Sequence, residues 1–234
     1  MDIIITPNMP GDYTRCPFSY GLFLGTAAVV VYLEKQKKAK PMLPLCDVVF
    51  VLGGPGAGKG TQCQMLQERQ DGWVHLSAGD LLRAERKAGG ELGDLINAKI
   101  AAGALVPSSI TCKCIERGMI KAFQQSKATK FLIDGFPRSH ENMQAWEDTM
   151  SRHNVKFVLN FECPEEVLVG RLLERGKNSG RADDNIETIR KRFNTFKLQS
   201  LPIIDYFKEK GVDVHQIESD KGVEQVYKQV VSLF

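Results

Sequence analysis

From Asp47 onward, short apolar runs alternate with longer amphipathic stretches. DVVFVL, starting at Asp47, suits a strand buried on both faces, and TQCQMLQERQ after it has the composition of a helix. Further strands are predicted at VHLS (Val74 to Ser77), KFLID (Lys130 to Asp134), KFVLNF (Lys156 to Phe161) and VDVHQI (Val212 to Ile217). Helices are predicted at 79–87 and 92–102, from Ser108 as a cap to about Gln124, and at 141–150. Pro164 is expected to open another at its first position. A long helix is expected from about Asn185 to Lys210, bent at Pro202, and a last one from Val223 to Leu233. Alternating strands and helices imply an α/β fold of three layers, a five-stranded parallel sheet flanked by helices.

Residues 1–46 break this pattern. FSYGLFLGTAAVVVYL, Phe18 to Leu33, is apolar, and Lys35, Lys37, Lys38 and Lys40 follow it. At 16 residues the run is slightly shorter than the roughly 20 that span a bilayer as a helix. Two readings stay open: a membrane anchor that leaves the rest of the chain in the cytosol, or a disordered leader that the second domain, 47–234, does not need. Asp2, Asp12 and a solitary Arg15 before the run do not fit a cleaved secretory signal.

Composition narrows the class. Hydrophobic residues make up 43% and charged residues 25% of 234, enough apolar material for a core. A net charge of +3 argues against nucleic acid as a partner and directs attention to local arginines. Six scattered cysteines without a CxxC pair read as free thiols in a reducing compartment, cytoplasmic with nuclear access open, rather than as disulfides or a metal site.

The candidate chemistry begins at VLGGPGAGKGT, Val51 to Thr61. Gly53, Gly58 and Lys59 fit the G-x-x-x-x-G-K phosphate-binding loop, with Gly60 where Ser or Thr is usual and Thr61 one place later. Glycines let backbone N–H groups face an anion, and the helix starting near Lys59 adds its positive end. Lys59 reaches the β- and γ-phosphates as a mobile charge.

Three further stretches are rich in phosphate-gripping residues: HLSAGDLLRAER with Arg83, FLIDGFPRS with Asp134 and Arg138, and RLLERGKNSGRADDNIETIRKRF with Arg171, Arg175, Arg181 and Arg192. Together with GGPGAGKGTQ and with ALVP (Ala104 to Pro107), these resemble, in order, the motifs of the adenylate kinase superfamily of nucleoside monophosphate kinases. The likeness covers about residues 47–234 and implies a P-loop fold with a mobile acceptor-binding helical segment (about 77–107) and a lid (about 175–185). The interval between Arg175 and Arg181 lacks the cysteines of long zinc-bearing lids, which matches the short-lid branch.

The resemblance implies roles. ATP with Mg²⁺ would lie on Gly56, Ala57, Gly58, Lys59, Gly60 and Thr61, with Arg171, Arg175 and Lys221 on the ATP side. The Thr61 hydroxyl would lie near the metal and Asp134 in its outer shell. The acceptor would meet Ala78, Arg83, Ala104, Leu105, Val106, Gly135, Phe136, Pro137, Arg138 and Asn142. Arg181 and Arg192 would reach the transferring phosphate and the acceptor, with Asp183 and Asp184 pairing the lid arginines. Catalysis is expected to rest on Lys59, Asp134, Arg138, Arg175, Arg181 and Arg192. Members of this branch are generally monomers.

Two positions bear on the acceptor. Where AMP-using members carry Thr in S-T-G-D, this chain has Ala78, and where they carry Gln eight residues after the strand-end Asp it has Asn142. Both changes, with DGFPRSHENMQAW, resemble the UMP-CMP kinase branch and imply CMP, UMP and dCMP as acceptors. Ser139 departs from the Asn common in that branch and leaves the preference between C and U open. Two rival readings are an adenylate kinase, opposed by Ala78 and Asn142, and a non-catalytic nucleotide-binding scaffold, opposed by the full set of Lys59, Asp134 and arginines.

Overall fold

The computed structural model describes residues 43–179 and 183–234. The apolar run 18–33 and Arg181 lie outside these residues. Five strands, β1 (Asp47–Gly53), β2 (Trp73–Ser77), β3 (Lys130–Asp134), β4 (Asn154–Glu162) and β5 (Val214–Glu218), form one sheet in the order β2-β3-β1-β4-β5. All four pairings are parallel, and the register sets Val51 and Ser77 on either side of Asp134.

The central strand shows why both faces need cover. Val48, Phe50 and Leu52 enter one core with residues of α4 (Ser108–Ser126), α5 (His140–Met150) and α8 (Leu201–Glu209). Val49 and Val51 enter the other, with α1 (Lys59–Arg69), α6 (Glu165–Ser179), α7 (Ile186–Thr195) and α9 (Val223–Val231). Residues of alternate parity on one strand face opposite ways, so a strand apolar at every position is buried twice. Two more helices, α2 (Ala78–Ala88) and α3 (Gly90–Ala101), share a small cluster of Leu82, Ile96, Val106 and Cys114 with the start of α4. Leu43 and Cys46, which precede β1, are buried in the first core. The five cysteines among the described residues are free thiols.

Local chemistry sets the helix starts. Ser77 accepts from the Asp80 N–H, Ser139 from Asn142 and Asn185 from Thr188, each pairing a donor that has no carbonyl one turn earlier.

Several expectations need correction. Ser108 is not a cap: Pro107 holds that position, and Ser108 is the first helical residue. Likewise Pro164 stands just before α6 rather than inside it. The fifth strand runs from 214 to 218 rather than 212–217. The helix expected across 185–210 is interrupted by a π-helical turn, Phe196–Ser200, in which the Leu201 N–H reaches the Phe196 carbonyl. Pro202 follows directly, in the first turn of α8; with no N–H to offer the Leu198 carbonyl one turn back, it suits the wider turn there. The wider turn lets Thr195, Phe196 and Ser200 line a cleft while Ile203 and Phe207 stay in the core. Half of the expected lid is regular helix, since α6 continues to Ser179.

Candidate active site

The carboxyl ends of β1 and β3 open on a cleft of about 1170 Å³, its mouth included. Such crevices are where ligands lie in open parallel sheets. Of the residues singled out in the sequence, Lys59, Ala78, Arg83, Ala104, Leu105, Val106, Gly135, Pro137, Arg138, Asn142 and Arg192 line it. The sequence reading missed Thr111, Thr195, Phe196 and Ser200, which come from helices whose facing only packing decides.

The glycine loop is built around close contacts. Gly53, Gly56 and Gly58 have φ of 137°, 88° and 82°, a region that L side chains avoid. A Cβ on Gly53 would lie 2.5 Å from the Phe161 carbonyl oxygen, whereas one on Gly58 would meet nothing within 4 Å. The first position is filled by protein and the second borders open space. Gly58 caps α1, so the N–H groups of the first turn, Lys59 to Thr61, point out of the helix toward that space. Ala57 is buried and the Thr61 side of the helix is exposed.

Lys59 Nζ donates to the carbonyls of Gly53 at 2.9 Å and Gly54 at 2.8 Å. Burial pushes its pKa down to about 8, opposed by Asp134 and helped by the charges of Arg138 and Arg192. Arg138 opens on the cleft, with Nε donating to Gly135 O at 2.6 Å. Confinement and the charges of Arg192 and Arg83 bring its pKa down to about 10, so it stays protonated at neutral pH. Arg83 Nε donates to Asp80 at 3.1 Å. Four cations therefore converge on one cleft, and their charges act against those of Lys59 and Arg138, an arrangement that an incoming polyanion relieves.

Behind them, Arg175 makes two bonds of 2.7 Å to Asp184, whose side chain is fully buried. Arg192 Nη1 lies 2.8 Å from Asp183 and 3.0 Å from Asp184. Arg175 is raised by its bond to Asp184, while burial lowers Arg192. The expected pairing of Asp183 and Asp184 with these arginines is present.

Asp134 ends β3 below the loop, buried, and does not itself line the cleft. His75 Nε2 is 3.5 Å from its Oδ2, and a Cβ on Gly60 would be 3.5 Å from the same oxygen. A buried carboxylate facing a glycine at the open end of the loop fits the outer shell of a hydrated divalent cation.

One expectation changes here. Phe136 does not face the cleft: its ring is fully buried against Phe50 and Trp146, because it alternates inward beside Pro137. Arg171 and Lys221, expected on the ATP side rather than with the acceptor, lie around the loop after β5. Arg171 donates to Ser219 O at 2.8 Å, and exposed Lys221 pairs with Glu218, which raises its pKa.

Asn142 is almost fully buried, and its amide is occupied. Oδ1 accepts from the Arg138 N–H at 3.0 Å, and Nδ2 donates to Ser108 Oγ at 2.7 Å.

A glycine loop around a lysine, an acidic strand end beside it and arginines converging on a second pocket define a phosphate-handling P-loop protein. The family model for adenylate kinase matches residues 51–212, and the chain belongs to that family. Among its relatives, the UMP-CMP kinase of Gallus gallus is 49% identical over 190 residues, 80% of this chain and 96% of that protein. UMP-CMP kinase 3 of Arabidopsis thaliana is 52% identical over 187 residues, 80% of this chain and 88% of the relative. Uridylate kinase of Saccharomyces cerevisiae is 52% identical over 185 residues, 79% and 88% of the two chains.

Proposed function

We propose that the chain transfers the γ-phosphate of ATP to CMP, UMP and dCMP, giving ADP and the nucleoside diphosphate. The observation that carries this reading is the convergence of Lys59, Arg83, Arg138 and Arg192 on one cleft whose other end holds Ala78 and Asn142. Relatives at about half identity named for UMP and CMP support the choice of acceptor.

In this reading the loop from Gly56 to Thr61 cradles the ATP phosphates with its N–H groups. Lys59 leaves the Gly53 and Gly54 carbonyls for the phosphates, exchanging neutral acceptors for charged ones. Asp134, through water, and the Thr61 hydroxyl would hold Mg²⁺, which would supply charge neutralisation on the phosphates. Arg83 and Arg138 clamp the acceptor phosphate, and Arg192 stabilises charge on the migrating group. Arg171, Arg175 and Lys221 serve the ATP side, and Arg181 joins Arg192 at the transferring phosphate. No protein nucleophile is required, because the acceptor phosphate is already an anion. The enzyme acts as a monomer in the cytoplasm, and residues 18–33 supply membrane tethering if they insert.

The test is phosphotransfer from ATP-Mg²⁺ to CMP, dCMP, UMP, AMP and GMP with the purified full chain. Fast ADP formation with the pyrimidines and little with AMP is expected. Preference for AMP would overturn the acceptor assignment, and ATP binding without turnover on any monophosphate would favour a scaffold.

A further inference from the structure

The base end of the cleft is walled by Leu82, Ile100 and Val106, so its few polar groups decide what can be recognised there. Asn142 is 4% exposed and is held from two sides. The Arg138 N–H donates to Oδ1 at 3.0 Å, and Nδ2 donates to Ser108 Oγ at 2.7 Å. A flipped amide would set its NH₂ against the Arg138 N–H, donor against donor. The orientation is therefore single. One N–H and one lone pair remain for a ligand, in a fixed order.

Ser108 stands 34 residues from Asn142 and is absent from the cleft wall. It is the first residue of α4 and makes no cap, so its hydroxyl has no helix-forming duty. Ser139 fixes the backbone from the other side, accepting the Asn142 N–H at 3.2 Å.

We infer that Ser108 is a positioning residue for acceptor selection: its hydroxyl holds the Asn142 amide in the one orientation that meets the acceptor base. This rests on the reading of the cleft as a monophosphate acceptor site. Without Ser108 the amide keeps one anchor and can swing about the Oδ1 contact. Base contacts then weaken, while phosphate contacts from Arg83 and Arg138 do not.

The experiment compares wild type, Ser108→Ala and Ser108→Thr on CMP, UMP and AMP, with ATP varied separately and thermal unfolding recorded. Ser108→Ala is expected to raise KM for the preferred monophosphates roughly fivefold or more, the scale of one lost buried hydrogen bond. The unfolding midpoint should fall by a few degrees at most, since the buried Asn142 N–H loses its partner; the KM for ATP and kcat should stay near wild type, and Ser108→Thr should restore KM. Unchanged KM in Ser108→Ala overturns the inference, as does a parallel change in ATP KM and unfolding, which marks a merely structural residue. If wild type itself prefers AMP, the pyrimidine assignment fails separately. The same KM rise, read on AMP, would still support Ser108.

Discussion

The Thr195 hydroxyl reaches the Gly103 carbonyl at 3.1 Å across 92 residues of chain. This contact ties the turn after α3 to the helix that carries Arg192. Thr188 repeats it on the Ala101 carbonyl at 3.4 Å. Gly103 permits the approach: its φ is +66°, and a Cβ there would lie 2.9 Å from Lys191 Cβ. We predict that Thr195→Val raises KM for the acceptor several-fold and leaves KM for ATP alone. Gly103→Ala should do more and also lower stability by about 1 kcal/mol or more, because alanine is strained at positive φ. Steady-state kinetics with each substrate varied in turn will show it. Equal effects on both substrates would break the assignment.

Lys59 carries a pH prediction. Its folded pKa of about 8 lies below the ordinary 10.5, so between those values the folded chain binds fewer protons than the unfolded one. This group therefore contributes rising stability as pH climbs from 8 to 10.5, and its penalty is fully present below 8. A bound polyphosphate reverses the shift by stabilising the ammonium. ATP binding at pH 8.5 should then take up protons, visible in calorimetry as a heat that depends on the buffer's ionisation enthalpy. Lys59→Met should abolish that uptake and lower kcat/KM by orders of magnitude with the fold intact. Buffer-independent heat in wild type would contradict the account.

Gly53 and Gly58 should fail in different ways. Gly53→Ala drives a Cβ to 2.5 Å from the Phe161 carbonyl oxygen, so the fold itself must give. Gly58→Ala meets no protein atom within 4 Å and intrudes on the space left for phosphate. We expect the first to lower the unfolding midpoint strongly. The second should weaken ATP binding by far more than its backbone strain lowers stability. Paired thermal melts and nucleotide titrations separate the two.

Asp184 holds two arginines with a fully buried carboxylate. Removing one partner from a fully buried ion pair typically costs about 3–5 kcal/mol. Here Arg175 is a third exposed and Arg192 keeps Asp183, so Asp184→Ala should cost less, on the order of 2 kcal/mol in urea unfolding, and reduce kcat, since Arg175 and Arg192 lose their common anchor. A loss below about 1 kcal/mol would show that water replaces the carboxylate easily.

Much of this molecule is local in origin. The apolar runs at Val48–Leu52 and Phe131–Ile133 required a sheet buried on both faces. The glycines before Lys59 allowed backbone angles that other residues resist, and Ser77, Ser139 and Asn185 could each pair a helix-start N–H three residues on. Such features depend on neighbours in the chain, so periodicity and residue type reveal them. Ser108 shows the limit: a serine at a predicted helix start reads as a cap, yet its hydroxyl serves an amide 34 residues away. Phe136 shows it again, because a motif names the residue without saying which way its ring points. The π turn at 196–200, the Thr195–Gly103 contact and the shared grip of Asp184 on two arginines arise where separate helices meet. The sequence by itself determined which residues could handle phosphate and where strands and helices would form, since those follow from short-range sterics and hydrophobic period. Tertiary structure alone decided which of them share a cleft and how the Asn142 amide is turned, since those depend on side chains brought together only by packing.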